Sequence, residues 1–294
     1  MRIWIGIALV LGMTACERSA PPPESTSPER TGVITLAPHL TETVFALGQG
    51  SRVIATGSFC DYPPEVKALP KLGGYIDPDL ERITMLRPGL LIVPGRHQKV
   101  ADYAALNSIP VLNVQMDSIA TVEEGIAQIG VALGCTDAAT ALCARIVAEL
   151  DAVRKAVAGL PRPKVFIVTT RNTHDLNSLY TVGGTSFVAE VVDVAGGENI
   201  YADATEPYVE ASKETVVLKA PDVVLEFHAG EALSDEEKAR YVADWNGLPS
   251  LPAVKNGRVC QVMESHALRP GPRVAEIARI VARLLHPDAG IGAP

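Results

Sequence analysis

Aromatic residues are scarce in this 294-residue chain, at 5% of the total, and only two are tryptophan, Trp4 and Trp245. No apolar run reaches the roughly 20 residues that a membrane-spanning helix needs, so an integral membrane bundle is excluded. No block of basic residues is present and the formal charge is −8, which argues against nucleic acid as a partner. The chain holds no G-x-x-x-x-G-K-[ST], H-E-x-x-H or G-x-S-x-G signature, and Gly48-Gln-Gly50 lacks the third glycine of a dinucleotide loop. An enzyme built on any of those devices is therefore excluded. Cysteine is sparse as well: Cys60, Cys135, Cys143 and Cys260 match no zinc spacing, and their three full pairings stay open beside the reading that they are small buried apolar residues.

What is present begins at the amino terminus. Arg2 precedes an apolar run over residues 3–13, too short to span a bilayer and suited to the core of a secretory signal. Met13, Thr14, Ala15 and Cys16 follow, a pattern that resembles a bacterial lipobox, in which Cys16 would be lipidated. Residues 17–31 are dominated by proline and serine and have no apolar periodicity, so they read as a disordered tether. The expected layout is a signal over 1–16, the tether over 17–31, an N-terminal lobe over 32–136, a connecting helix over 137–160, a C-terminal lobe over 161–287 and a tail over 288–294.

Hydrophobic residues make up 47% of the chain, enough for a sizeable core. Short apolar strands are expected over 33–36, 52–56, 90–93 and 111–114, with helices over 41–47, 79–86, 99–106 and 121–133 between and after them. The second half repeats the plan, with strands over 165–169, 223–227 and 259–262 and helices over 186–194, 236–246 and 273–285. This alternation implies an α/β fold with parallel sheets covered on both faces. Between the halves, residues 137–158 contain no glycine or proline and are rich in good helix formers. One repeat is legible residue by residue. Glu81-Arg-Ile-Thr-Met-Leu-Arg-Pro88 leads into an apolar strand, and Glu214-Thr-Val-Val-Leu-Lys-Ala-Pro221 does the same. Each glutamate opens a short helix that must stop near its proline.

Several segments together resemble the periplasmic binding proteins that serve cobalamin, haem and iron-siderophore importers, over about residues 32–285. They are Val33-Ile-Thr-Leu-Ala-Pro38 with Thr41-Glu42, Phe45-Ala-Leu-Gly48, Ser58-Phe-Cys-Asp-Tyr-Pro-Pro64, Leu80-Glu-Arg-Ile83, Arg87-Pro-Gly-Leu-Leu91, Gly196-Gly-Glu-Asn-Ile200 and Ser212-Lys-Glu-Thr215. The resemblance implies the class III binding-protein fold: two Rossmann-like lobes joined by one long helix, with ligand held between them. It implies a monomer that is not an enzyme, has no cofactor of its own and touches the membrane only through its lipid. It also implies a dimeric ABC importer permease as partner, docked through Glu81 and Glu214.

Ligands of open α/β sheets bind outside the carboxyl ends of the strands. The residues expected there are Phe59, Tyr75, Arg96, His97, Arg171, Tyr208, His228, His266 and Arg269. Aromatic faces suit a flat macrocycle, arginines suit carboxylate or phosphate groups, and histidines can ligate a transition metal, His266 and His97 being the two candidate axial ligands. The expected cargo is a metal chelate, a corrinoid before haem or a ferric siderophore. A tetrapyrrole chelatase is the alternative enzyme.

Overall fold

The computed structural model describes residues 31–292. The signal, Cys16 and nearly all of the tether lie outside them. The first half runs β1 (Val33–Thr35), α1 (Pro38–Ala46), β2 (Val53–Thr56), α2 (Leu80–Leu86), β3 (Leu90–Pro94), α3 (Gln98–Leu106), β4 (Val111–Val114) and α4 (Ile119–Leu133). Then comes α5 (Thr136–Val157). The second half runs β5 (Lys164–Val168), β6 (Leu179–Val182), α6 (Phe187–Val194), β7 (Glu198–Asn199), β8 (Tyr208–Ala211), α7 (Lys213–Lys219), β9 (Val223–Phe227), α8 (Asp235–Asp244), α9 (Pro252–Lys255), β10 (Val259–Val262) and α10 (Val274–Leu285).

The central strands are buried on both faces. All of β1 and all of β9 are out of solvent, as expected of parallel strands covered by helices. Two separate parallel sheets form, with orders β2-β1-β3-β4 and β10-β9-β5-β7. Read from the other edge, the second is β7-β5-β9-β10, so β1 corresponds to β5, β2 to β7, β3 to β9 and β4 to β10. The lobes are topological repeats, and α2 and α7 occupy equivalent positions, each leading into the third strand.

The second lobe carries an addition that the sequence reading missed. Strands β6 and β8 pair antiparallel in a small sheet of their own, Leu179 opposite Ala211 and Val182 opposite Tyr208. The two four-residue strands are separated by α6 and β7, and this non-local pairing leaves no local turn signal. Several helix ends differ from expectation for local reasons. Helix α1 begins at Pro38 itself, because proline at the first helical position is already set for the turn. Helix α4 starts two residues early through a capping box between Ser118 and Thr121, with threonine where glutamate is usual. Helix α8 tightens into a 3-10 turn at Trp245, whose ring is fully buried.

Helix α5 spans 22 residues, about 33 Å at 1.5 Å per residue. Its buried stripe, Ala139, Leu142, Ile146, Leu150, Val153 and Val157, has helical spacing. It packs against α4 on one side and α10 and α6 on the other. A Cβ on Gly130 would lie 2.4 Å from that of Ala139, so glycine is what lets α4 and α5 approach this closely. One hydrophobic core runs from Val33 in the first lobe through this stripe to Leu285 in the second. Cys60, Cys135, Cys143 and Cys260 are all free thiols. Burial pushes the Cys60 thiol upward, as for a small apolar core residue.

Candidate functional site

The carboxyl ends of the two sheets meet at one edge through an ionic clasp. The loop after β10 carries Arg269, whose Nη1 donates to Asp61 Oδ1 at 2.6 Å and to Glu42 Oε1 at 3.3 Å. Arg273 donates from Nε and Nη2 to the two oxygens of Glu42 at 2.8 and 2.7 Å, a bidentate fork. Its guanidinium also stacks 4.0 Å from the centre of the Tyr62 ring. Glu42 lies in α1 and Asp61 in the loop after β2, so every one of these bonds crosses between lobes. The backbone is close here too: a Cβ on Gly271 would lie 3.1 Å from that of His39.

The clasp sets the local electrostatics. The Arg269 hydrogen bond holds the Asp61 carboxyl below its ordinary range, against partial desolvation. Burial works against the charge on Arg269, yet Asp61 and Glu42 outweigh it and push the guanidinium up. His39 is driven down to about 4, first by burial and then by Arg269. His266 is driven down to about 4 by burial, then by Arg273 and Arg269. Both imidazoles are neutral at pH 7.

Beneath the carboxyl ends of β5 and β9 lies a second buried network. Arg171 donates from Nε to Glu226, and both side chains are only 2% exposed. The same guanidinium reaches Asp244 Oδ2 at 3.0 Å and lies 4.7 Å from the Tyr241 ring centre. The indole of Trp245 donates to the other Glu226 oxygen at 3.4 Å. His228 stands 3.7 Å from Glu226 and 3.2 Å from Glu231. Burial raises Glu226, but His228 and Arg171 overcome it and the carboxyl stays below its usual value. Burial lowers His228, but Glu226 and Glu231 overcome it and hold the imidazole above its usual value.

The first lobe presents an aromatic lip. Phe59, after β2, is 72% exposed and lies against Gly74, and Tyr75 and Ile76 continue the apolar surface. Tyr75 meets His97 edge-on at 6.0 Å. His97 caps α3, with Nδ1 accepting from Val100 N–H, so its proton sits on Nε2, which is 3.2 Å from the Ile76 carbonyl. Both ring nitrogens are therefore committed. Arg96 beside it is exposed and has no partner among the described residues.

The expected residues thus fall into different settings. Phe59, Tyr75, Arg96 and His97 gather on the first lobe. Arg269 bridges the lobes. Arg171, His228 and His266, expected to face a ligand, are buried, because internal carboxylates and apolar walls take up the space around them. Tyr208 is exposed but does not follow a strand as expected: it opens β8, outside the parallel sheet. As for metal, no group of three histidine, cysteine or carboxylate side chains able to hold an ion occurs among the described residues. Two concavities of about 600 and 570 Å³ lie away from these loops. One is at the amino-terminal ends of β5, β9 and β10 around Arg258 and His286, the other beside α6 around Glu190 and Asp193. The clasp partners Glu42, Asp61, Tyr62 and Arg273 escaped the site reading. Glu42, Asp61 and Tyr62 lie in segments singled out above, but nothing local in the sequence pairs them with Arg269 or Arg273.

Comparison with known proteins adds a lineage to this geometry. A family model described as periplasmic binding protein matches residues 33–264. The vitamin B12-binding protein of Vibrio parahaemolyticus is 28% identical over 243 residues, covering 82% of this chain and 84% of its own length. Among solved structures, the periplasmic heme-binding protein BhuT in complex with two hemes has a TM-score of 0.75 at 26% identity, covering 89% of this chain and 99% of that one. The periplasmic vitamin B12-binding protein BtuF of Vibrio cholerae has a TM-score of 0.72 at 23% identity, with 87% and 96% covered.

Proposed function

The chain belongs to the periplasmic binding protein family, whose members are solute carriers and not enzymes, and on that premise we propose that it captures a corrinoid for an ABC importer. The observation that carries the proposal is the meeting of the two sheets' carboxyl edges, where the loop after β2 bears both exposed Phe59 and the Asp61 held by Arg269. Similarity over 82% and 86% of this chain to relatives named vitamin B12-binding protein supports the ligand class. Phe59 and Tyr75 offer flat apolar faces for a macrocycle, Tyr208 adds one from the second lobe, and Arg96 offers an uncommitted cation for amide or phosphate oxygens. A corrinoid brings axial ligands of its own, which suits a surface where both His97 nitrogens are taken and His266 is buried. Arg171, His228 and His266 serve as the floor beneath this surface. Lipid at Cys16, with residues 17–31 as tether, would hold the carrier at the membrane, and Glu81 and Glu214 would dock it on the permease.

Haem is the second reading, favoured by the 26% identity to the heme-binding BhuT over 89% of this chain. Titrating the purified chain with cyanocobalamin and, separately, with hemin while recording absorbance distinguishes the two. Saturable one-to-one binding of cyanocobalamin is expected, weakened about tenfold or more by Phe59→Ala or Tyr75→Ala with unchanged thermal unfolding. Saturation by hemin alone would transfer the assignment to haem. Binding of neither would remove the tetrapyrrole reading.

A further inference from the structure

Helices α2 and α7 share a surface pattern that their charges do not explain. In α2, Glu81 is followed four residues later by Met85. In α7, Glu214 is followed four residues later by Leu218. That offset places each carboxylate and each apolar side chain on one helical face. Met85 is 79% exposed and Leu218 84%, whereas Ile83 and Val216, midway between, point inward and are buried. A lone exposed apolar side chain is ordinary. The same offset on two topologically equivalent helices is not explained by that base expectation. The frames match further. Asp79 and Ser212 cap the two helices, accepting from the backbone of Arg82 and Thr215. Both helices end on a non-glycine residue with positive φ, Arg87 at 48° and Ala220 at 46°, just before Pro88 and Pro221. Glu81 and Glu214 are exposed, and neither has an ion-pair or hydrogen-bond partner among the described residues.

We propose that Met85 and Leu218 are paired apolar anchors of a two-point docking face, each seated in a recess beside the cation that meets the neighbouring glutamate. The proposal rests on the importer reading above and extends it from charge to shape. A motif repeated on two lobes of one chain calls for a partner whose complementary surface also occurs twice, and a two-fold symmetric permease dimer supplies that. A second copy of this chain is a poorer fit, since its equivalent face would bring unpaired carboxylates against unpaired carboxylates. The division of labour follows from physics. The glutamates steer encounter and are screened by salt, while the apolar anchors, once desolvated, hold the complex and respond little to salt.

The test uses the full chain and the permease that co-purifies with it from source membranes, reconstituted in nanodiscs, with affinity read at low and high salt. Met85→Ser with Leu218→Ser should weaken docking about a hundredfold, roughly tenfold per anchor, to a similar extent at both salt concentrations. Cyanocobalamin titration and thermal unfolding should be unchanged. Glu81→Gln with Glu214→Gln should weaken docking at low salt and much less at high salt. Wild-type docking by the serine pair, with the glutamine pair impaired, would overturn the anchors and leave the importer reading standing. Absence of any permease binding by the wild-type chain would overturn both. A dimeric wild type that becomes monomeric in the serine pair, judged by sedimentation, would assign the anchors to self-association and end the proposal.

Discussion

Replacing Glu42 by alanine isolates the clasp between the lobes. The carboxylate is only 3% exposed and accepts three donors, two from Arg273 at 2.8 and 2.7 Å and one from Arg269 at 3.3 Å. Both arginine side chains are 19% exposed. Removing one partner of a buried ion pair typically costs about 3–5 kcal/mol, because the remaining charge is stranded. Arg269 keeps Asp61 and Arg273 keeps the Tyr62 ring, so the lower end, about 3 kcal/mol, is expected. For a chain of this size that is a fall in Tm of roughly 6–12 °C. Asp61 is the internal control. It binds the same arginine at 2.6 Å, but its side chain is 44% exposed, so Asp61→Ala should cost only about 0–1 kcal/mol. Urea denaturation followed by circular dichroism reads both variants. Glu42→Ala with Arg273→Ala should lose less than the sum of the single losses, since the stranded charge is gone. Equal, small losses for Glu42→Ala and Asp61→Ala would refute the claim that burial makes Glu42 the centre of the clasp.

Two further outcomes follow from the buried groups. His266 has a folded-state value of about 4 against 6.5 when free, so the unfolded chain takes up its proton more readily. Stability from this residue is complete above about pH 6.5 and lost as pH falls from there toward 4, by up to about 3 kcal/mol. His39 acts in the same direction. An NMR titration of the His266 ring should show no protonation until near pH 4, and a midpoint near 6.5 would contradict the burial argument. Arg171→Ala should strand Glu226 in the second lobe and cost about 3–5 kcal/mol in urea denaturation, whereas Arg96→Ala should leave stability unchanged. A loss below about 1 kcal/mol for Arg171→Ala would mean that the network is not a structural unit.

The central strands were legible because parallel strands buried on both faces are near-continuous apolar runs, and β3, β5 and β9 fall within a residue of where that rule puts them. The twin helices were legible because each glutamate and each proline constrains its own neighbours. The β6–β8 pairing was not legible, since hydrogen bonds between residues some 30 apart leave no local trace. The site was read less completely for a related reason. Residue type and strand position identify which side chains stand at the carboxyl edge, but not what each one meets. Arg171 and Arg96 both follow a strand and look alike in sequence. Glu226, one residue before the end of β9, turns the first into a buried ion pair, while the second has no such neighbour. Glu42 shows the converse. It lies within a helix that reads as ordinary, and its importance depends on two arginines more than 220 residues away.

The same contacts bear on how the carrier works. A hinge between lobes needs a region of few contacts, but here the lobes share a hydrophobic core that passes through α5 without interruption. Opening them would shear α5 from α4 or from α10, expose apolar surface and separate Glu42 from Arg273. A further link, from the Ile119 N–H to Glu190 at 2.6 Å, ties the start of α4 to α6. Large closure around cargo is therefore opposed at several separate points. The helices bearing Glu81 and Glu214 are thus fixed to lobes tied together at several points. In a frame so tied, a change on loading would be confined to the loops after the strands, where Phe59 and Tyr75 are exposed.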